Sequence, residues 1–190
     1  MDRNFCGVYY RELNPEFVGC EFIFFFFDTF LCGGRVRRAV DRLSLEQLVN
    51  MKILFVCGGN VNRSQMAGTI FKSLVPEADV QTAGVYPSAA GERLVDVWPQ
   101  AVSAMQEIGF DMSKNMISQL TPGMVESADR VVLMGAIFGG PIPDYLRNSA
   151  KLETWDVPDP GYEEISVEGA RDIIVEKVRE LAICVQKRLQ

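Results

Sequence analysis

Ile53-Leu54-Phe55-Val56-Cys57-Gly58-Gly59-Asn60-Val61-Asn62-Arg63-Ser64-Gln65-Met66-Ala67 is the stretch on which the reading of this chain turns. A short apolar run ends at Cys57, a glycine-rich loop follows, and helix-forming residues take over at Ser64. A strand that passes through such a loop into a helix turns successive backbone N–H groups toward one point, and that nest binds tetrahedral oxyanions. Cys57 stands at its mouth, where the N–H groups and the helix N-terminus favour the thiolate. Arg63 offers a planar, two-pronged donor for two oxygens of a phosphoryl group. The loop reads as a device for nucleophilic attack on phosphate or a close analogue. A cysteine and an arginine at this spacing also occur by chance on ordinary strand–loop–helix units. The strand end, the paired glycines and the helix start are what separate the two readings.

Each loop residue has an expected task. The backbone N–H groups of Gly58, Gly59, Asn60, Val61, Asn62 and Arg63 are expected to surround the three non-bridging oxygens of the ligand. Ser64 is placed to hydrogen-bond the Cys57 sulfur and help it leave. Asn60 tolerates left-handed geometry and is expected to hold the loop through its side chain. Gly58 and Gly59 either adopt positive φ or simply admit the substrate closely.

Composition narrows the chemistry. The chain has 190 residues, 48% hydrophobic and 23% charged, which suits a globular domain with one substantial core. It contains no histidine. That removes Ser-His-Asp and Cys-His catalysis and histidine-ligated metal sites. Neither a metal nor a cofactor is expected. The net charge of −6 argues against a nucleic-acid partner but not against a phosphate ligand, because the field of the loop is local. The five cysteines, Cys6, Cys20, Cys32, Cys57 and Cys184, form no C-x-x-C pair. An odd number without a framework reads as reduced thiols in a cytoplasmic protein. Cys184 follows a helical pattern of Ile174, Val178, Leu181 and Val185 and is expected to pack in the core or a groove.

The first fifty residues differ from the rest. The apolar run Phe22–Phe27 is too short to cross a bilayer and is followed by Asp28. Glu16 and Glu21 stand where a secretory signal wants positive charge. No membrane association is expected, although Arg35, Arg37, Arg38 and Arg42 follow the run. Residues 1–50 are read as an extension outside a catalytic domain at 51–190, with a short helix from Ser44 that Gln47 would cap.

Along the remainder, the pattern predicts a strand at 51–56, a helix at 64–75, a strand at 80–82 and a loop at 86–93. A helix follows at 98–108 with Gly109 as its C-cap, then a short helix near 122–127 and a strand at 130–134. A Gly/Pro-rich connection at 135–143, a strand at 151–155 and a long helix at 164–189 complete the chain. Alternating strands and helices imply an α/β fold with a parallel sheet covered on both faces. The ligand is expected at the carboxyl ends of the strands, where Cys57 lies.

The segment from Met51 to Ala67 resembles the opening of the low-molecular-weight protein tyrosine phosphatases and the related arsenate reductases. The resemblance continues through Thr82-Ala83-Gly84, Ala104–Ser113, Ala128–Gly135 and Trp155-Asp156-Val157-Pro158-Asp159-Pro160. It implies a three-layer α/β/α domain with a four-stranded parallel sheet, of the phosphotyrosine protein phosphatase I type, beginning near Met51. It also implies that Asp159, in its Asp-Pro pair, is the general acid that protonates the leaving oxygen and later activates water. Asp156 is the competing carboxyl, read as a turn residue. The implied activity is hydrolysis of phosphomonoesters, above all protein phosphotyrosine, through a phosphocysteine. The alternatives are an arsenate reductase served by an external small thiol and a non-catalytic oxyanion-binding module.

The departures from the family pattern matter as much. Disulfide-cascade reductases need further cysteines after the third strand, and Leu133–Pro141 has none. The phosphatases usually carry proline where this chain has Gln65, which is closer to the reductase wording. Asn62 stands where the phosphatases often carry a second loop cysteine. Tyr162 is expected either to line the rim of the pocket or to be an exposed turn residue. The sequence does not address oligomeric state.

Overall fold

The computed structural model describes residues 51–187. The expectations placed on residues 1–50, including the helix from Ser44, lie outside them, as does the expected helix end at Leu189. Chain order is β1 (Lys52–Cys57), α1 (Arg63–Leu74), β2 (Asp79–Gly84), α2 (Leu94–Val97), α3 (Pro99–Gln106), α4 (Pro122–Ser127), β3 (Arg130–Met134), α5 (Asp144–Arg147), β4 (Leu152–Trp155) and α6 (Val167–Lys187). All strand pairs are parallel, in the order β2-β1-β3-β4. The chain goes from β1 outward to β2, then crosses back to lay β3 on the other side of β1. The order therefore reverses at the carboxyl end of β1, which is where ligands bind in open parallel sheets. Cys57 is the last residue of that strand.

The alternation of β1 shows why both faces are covered. Ile53, Phe55 and Cys57 join one core with Met66, Ile70 and Phe71 of α1, Val102 and Met105 of α3, and Ile174, Val178 and Leu181 of α6. Leu54 and Val56 join the other, with Val125 of α4 and Leu146 of α5. The result is three layers, α/β/α. Phe55 meets Phe71 edge-on, ring centroids 5.8 Å apart, and Trp155 at 5.9 Å. Each such side chain, fully buried, contributes about 1.5–3 kcal/mol by transfer from water.

Most element boundaries fall within two residues of the expected ones, but three findings differ. Helices α2 and α5, of four residues each, carry too few residues for a periodic signal. The long helix starts at Val167 rather than Glu164, after Ser166 Oγ accepts the Gly169 N–H at 3.0 Å. Cys184 is exposed, so of its two expected places the core is excluded and the groove remains. The buried stripe of α6 runs through Val178, Leu181, Ala182 and Val185. At 3.6 residues per turn Cys184 falls just outside it. There it opens on a groove lined also by Arg130, Glu153 and Lys177.

Candidate active site

The loop from β1 to α1 is held by its own side chains. Asn60 has φ 54°, the only positive φ at a non-glycine position among the described residues. Its fully buried amide holds that left-handed turn: Nδ2 donates to Ser64 Oγ at 2.8 Å, and Oδ1 accepts the Ser118 N–H at 2.8 Å. The Asn60 N–H donates to Cys57 Sγ at 3.2 Å, and Ser64 Oγ lies 3.0 Å from the same sulfur. Of the two readings offered for Gly58 and Gly59, positive φ is excluded, since neither has it. A Cβ at either would meet only one neighbour, at 3.7 and 3.5 Å respectively. The glycine that the loop itself requires is Gly84, at the end of β2. A Cβ there would lie 2.9 Å from Asn60 N, Gly58 O and the Gly59 carbonyl carbon.

Helix α1 begins without help from side chains. Asn62, its N-cap, makes no capping bond, and no acidic residue occupies the first turn. The amide of Asn62 is buried with neither polar atom partnered. The N–H groups at this end lack the usual local acceptors, which leaves the positive end of the helix for an anion. Gly58, Asn60, Asn62 and Ser64 are buried, while Gly59 and Val61 are half-buried.

Arg63 is 1% exposed and faces the ends of β3 and β4. Nη1 donates to Met134 O at 2.6 Å and Val157 O at 3.0 Å, and Nη2 to Ala136 O at 3.3 Å. Nη2 also forms an ion pair with Asp159. None of these bonds uses Nε. Gly135, φ 59°, gives the guanidinium room, because a Cβ there would stand 2.7 Å from Val157 O and 3.4 Å from Arg63 Nη1. Asp159, not Asp156, is therefore the carboxyl brought to Arg63. Asp156 is exposed. Asp159 is anchored from its own loop: its N–H donates to Glu163 Oε2 at 2.6 Å, and its Oδ1 accepts the Gly161 N–H at 3.1 Å.

Beside the loop that carries Asp159 stand two aromatics, Phe138 half-buried and Tyr162 exposed. Phe138 and Tyr162 stack with centroids 4.5 Å apart and planes 19° apart. Tyr162 is 69% exposed, so of its two expected readings the stack favours a rim position over a bare turn. Tyr86 donates its hydroxyl to Pro141 O at 2.7 Å and packs its ring against Gly139 and Gly140. Burial raises the Tyr145 phenol above its usual range, and the nearby Tyr86 phenol adds to the shift.

Gln65, Asn115 and Ser118 were missed as site residues. Ser118 reaches Asn60 across 58 residues of sequence and Asn115 reaches Gln65 across 50, and ties of that span leave no local pattern. Gly84 was legible only as part of a resembling tripeptide. Among the described residues no group of three or more His, Cys, Asp or Glu is gathered to hold a metal.

A buried thiol ends β1 where an uncapped helix begins, at the switch point of a parallel sheet, and the same helix carries the guanidinium that pairs with Asp159. The family model "Low molecular weight phosphotyrosine protein phosphatase" matches residues 52–190, and the chain belongs to that family. A probable low molecular weight protein-tyrosine-phosphatase EpsP of Ralstonia solanacearum is 35% identical over 88 residues, 44% of this chain and 54% of that one. The match thus spans about half the length of that relative. An arsenate reductase of Halalkalibacterium halodurans is 36% identical over 61% of this chain and 79% of its own. Among solved structures, the YwlE arginine phosphatase from Geobacillus stearothermophilus superposes with TM-score 0.59 at 25% identity, covering 73% of this chain and 94% of that one. The fold is accordingly the four-stranded parallel α/β/α expected from the sequence.

Proposed function

We propose that the protein hydrolyses phosphomonoesters, protein phosphotyrosine in particular, through a phosphocysteine at Cys57. The observation that carries this reading is the Cys57 sulfur, held at 3.2 Å from the Asn60 N–H and 3.0 Å from Ser64 Oγ where α1 begins. In the first step the Cys57 thiolate attacks phosphorus, the S–P bond forms, and the P–O bond to the leaving group breaks. Asp159 gives its proton to the leaving oxygen. In the second step water attacks phosphorus and passes a proton to Asp159, and the sulfur leaves as thiolate with inorganic phosphate as product. Arg63 and the loop N–H groups stabilise the equatorial oxygens. In the free protein Arg63 and Asp159 neutralise each other. An arriving phosphoryl group takes over the guanidinium, and the carboxylate so freed takes up a proton from solvent and turns toward the leaving oxygen as the acid.

The aromatic rim supports an aryl phosphate. A phenyl ring standing above the cradle finds the Phe138–Tyr162 stack beside it. The substrate is a phosphorylated protein or a small phosphomonoester. A nucleophilic thiol works where it stays reduced, which favours the cytoplasm. No helix among the described residues is long and apolar enough to cross a membrane. Residues 1–50 are proposed to lie outside this catalytic unit.

Arsenate reduction with an external small thiol is the second reading, favoured by the Ser64-Gln65-Met66-Ala67 wording and by relatives named arsenate reductase. An internal cascade is disfavoured by position. Among the described cysteines only Cys184 could resolve Cys57, and its groove includes Arg130, the first residue of β3. Arg130 pairs with Ile53, four residues before Cys57, which is about 13 Å along the strand. Turnover assays with p-nitrophenyl phosphate, a phosphotyrosine peptide, phosphoarginine, and arsenate with either glutathione or thioredoxin separate these readings. Hydrolysis of the phosphotyrosine peptide well above phosphoarginine is the expected result. Arsenate reduction without any ester hydrolysis overturns it.

A further inference from the structure

A chain of hydrogen bonds leads from Met116 and Ser118 through Gln65 and Asn60 to Ser64, and backbone groups at its outer end fix its sense. The Ser118 N–H can only donate, so the atom of the Asn60 amide facing it at 2.8 Å is Oδ1. That turns Nδ2 toward Ser64 Oγ at 2.8 Å. Nδ2 can only donate as well, so Ser64 Oγ is an acceptor there and its single hydrogen is left for the Cys57 sulfur at 3.0 Å. The same logic runs one residue outward. Met116 O can only accept, so Gln65 presents Nε2 to it at 2.9 Å, and the same Nε2 donates to Asn60 Oδ1 at 3.0 Å. Gln65 Oε1 then accepts from Asn115 Nδ2 at 3.0 Å. Gln65 is 2% exposed. Its Nε2 gives Asn60 Oδ1 a second donor beside the direct Ser118 N–H bond, and the same Nε2 ties α1 to the segment carrying Met116.

We propose that Gln65 is a positioning residue: with Asn115 behind it, it fixes the Asn60 amide so that the only hydroxyl hydrogen of Ser64 points at the Cys57 sulfur. The consequence for turnover rests on the phosphocysteine reading. A sulfur that leaves as thiolate is helped by a hydroxyl aimed at it, so the hydrolysis step depends on Gln65 more than the attack step does. Asn115 lies at the outer end, where Gln65, Thr69, Lys72 and Met116 line a solvent-open cavity of about 360 Å³.

Gln65→Met keeps the volume and removes every bond. With p-nitrophenyl phosphate, its steady-state kcat is expected to fall roughly tenfold, about the worth of a lost hydrogen bond. The pre-steady-state burst of nitrophenol keeps its rate and grows in amplitude as phosphocysteine accumulates. Independently of turnover, labelling of Cys57 by iodoacetate, followed by mass spectrometry, should fall off at a higher pH than in the native protein. Asn115→Ala, at the cavity wall, shifts both readouts in the same direction by less, and stands in if Gln65→Met does not fold by thermal unfolding. A native protein that does not hydrolyse esters sinks the phosphatase reading while the labelling profiles still judge Gln65. An unchanged labelling profile in the folded variants overturns the proposal, as does a loss of burst rate and kcat in equal proportion.

Discussion

The two walls of the pocket are built on different principles. The wall from Cys57 to Ser64 is a buried lattice in which side chains bond one another: Asn60 is fully buried, Ser64 fully buried and Gln65 2% exposed. The opposite wall, from Gly135 to Glu163, is held by one ion pair, a few backbone bonds and a stack of one half-buried and one exposed ring. The first wall has one geometry, and the chemistry of the phosphoryl group leaves little freedom to vary it. The second must let Arg63 and Asp159 part and must meet whatever the phosphate is attached to. On the proposed function, catalytic identity resides in the first wall and substrate choice in the second.

Variants break this comparison in graded ways. Cys57→Ser should abolish turnover of every ester while the cradle still binds inorganic phosphate, read by titration calorimetry. Retained turnover would remove the nucleophile from the first wall altogether. Asp159→Asn, on the second wall, should lower kcat on phosphotyrosine by about 10²–10⁴-fold. It should affect p-nitrophenyl phosphate, whose leaving group needs no proton, much less. An equal loss on both esters would mean that Asp159 acts by holding Arg63 rather than as an acid.

Gly84→Ala tests the support beneath the first wall. The added methyl would stand 2.9 Å from three backbone atoms of the loop. Overpacking of this kind costs about 1–3 kcal/mol, so a lower thermal midpoint is expected together with an activity loss of roughly 10–100-fold, one decade per 1.36 kcal/mol. Wild-type activity in a destabilised protein would show that the loop geometry tolerates more than its packing suggests. Phe138→Ala combined with Tyr162→Ala removes the ring stack. KM for a phosphotyrosine peptide should rise about 3–10-fold, the worth of an aromatic contact, with kcat on p-nitrophenyl phosphate unchanged. Smallest of all should be the effect of starting the chain at Met51: kcat and KM within error of the full chain. A loss of activity there would bring residues 1–50 into the catalytic unit.

The sequence by itself determined the fold class and singled out Cys57 and Arg63, the proposed nucleophile and its arginine. Each follows from a local signal: apolar runs of strand length, a glycine-rich break and a helix start within one short segment. Pro122 behind Thr121 likewise predicts the start of α4, where Thr121 Oγ1 accepts the Met124 N–H at 3.4 Å. The departures have equally physical causes. Cys184 was read from helical periodicity, which resolves the face of a helix only to within one residue's turn, and it fell on the exposed side of the boundary. Choosing Asp159 over Asp156 needed either a resemblance or the structure, because both aspartates lie within two residues of a proline and propensity treats them alike. Only tertiary structure decided which carboxyl reaches Arg63, why Gly84 has no room for a side chain, and how Ser118 and Asn115 arrive at a loop more than fifty residues earlier. Local sequence encodes backbone geometry and the donors available. Partners are set by which strand ends meet, and the order β2-β1-β3-β4 brings the segment after β2 and the loop after β4 to opposite sides of the same sulfur.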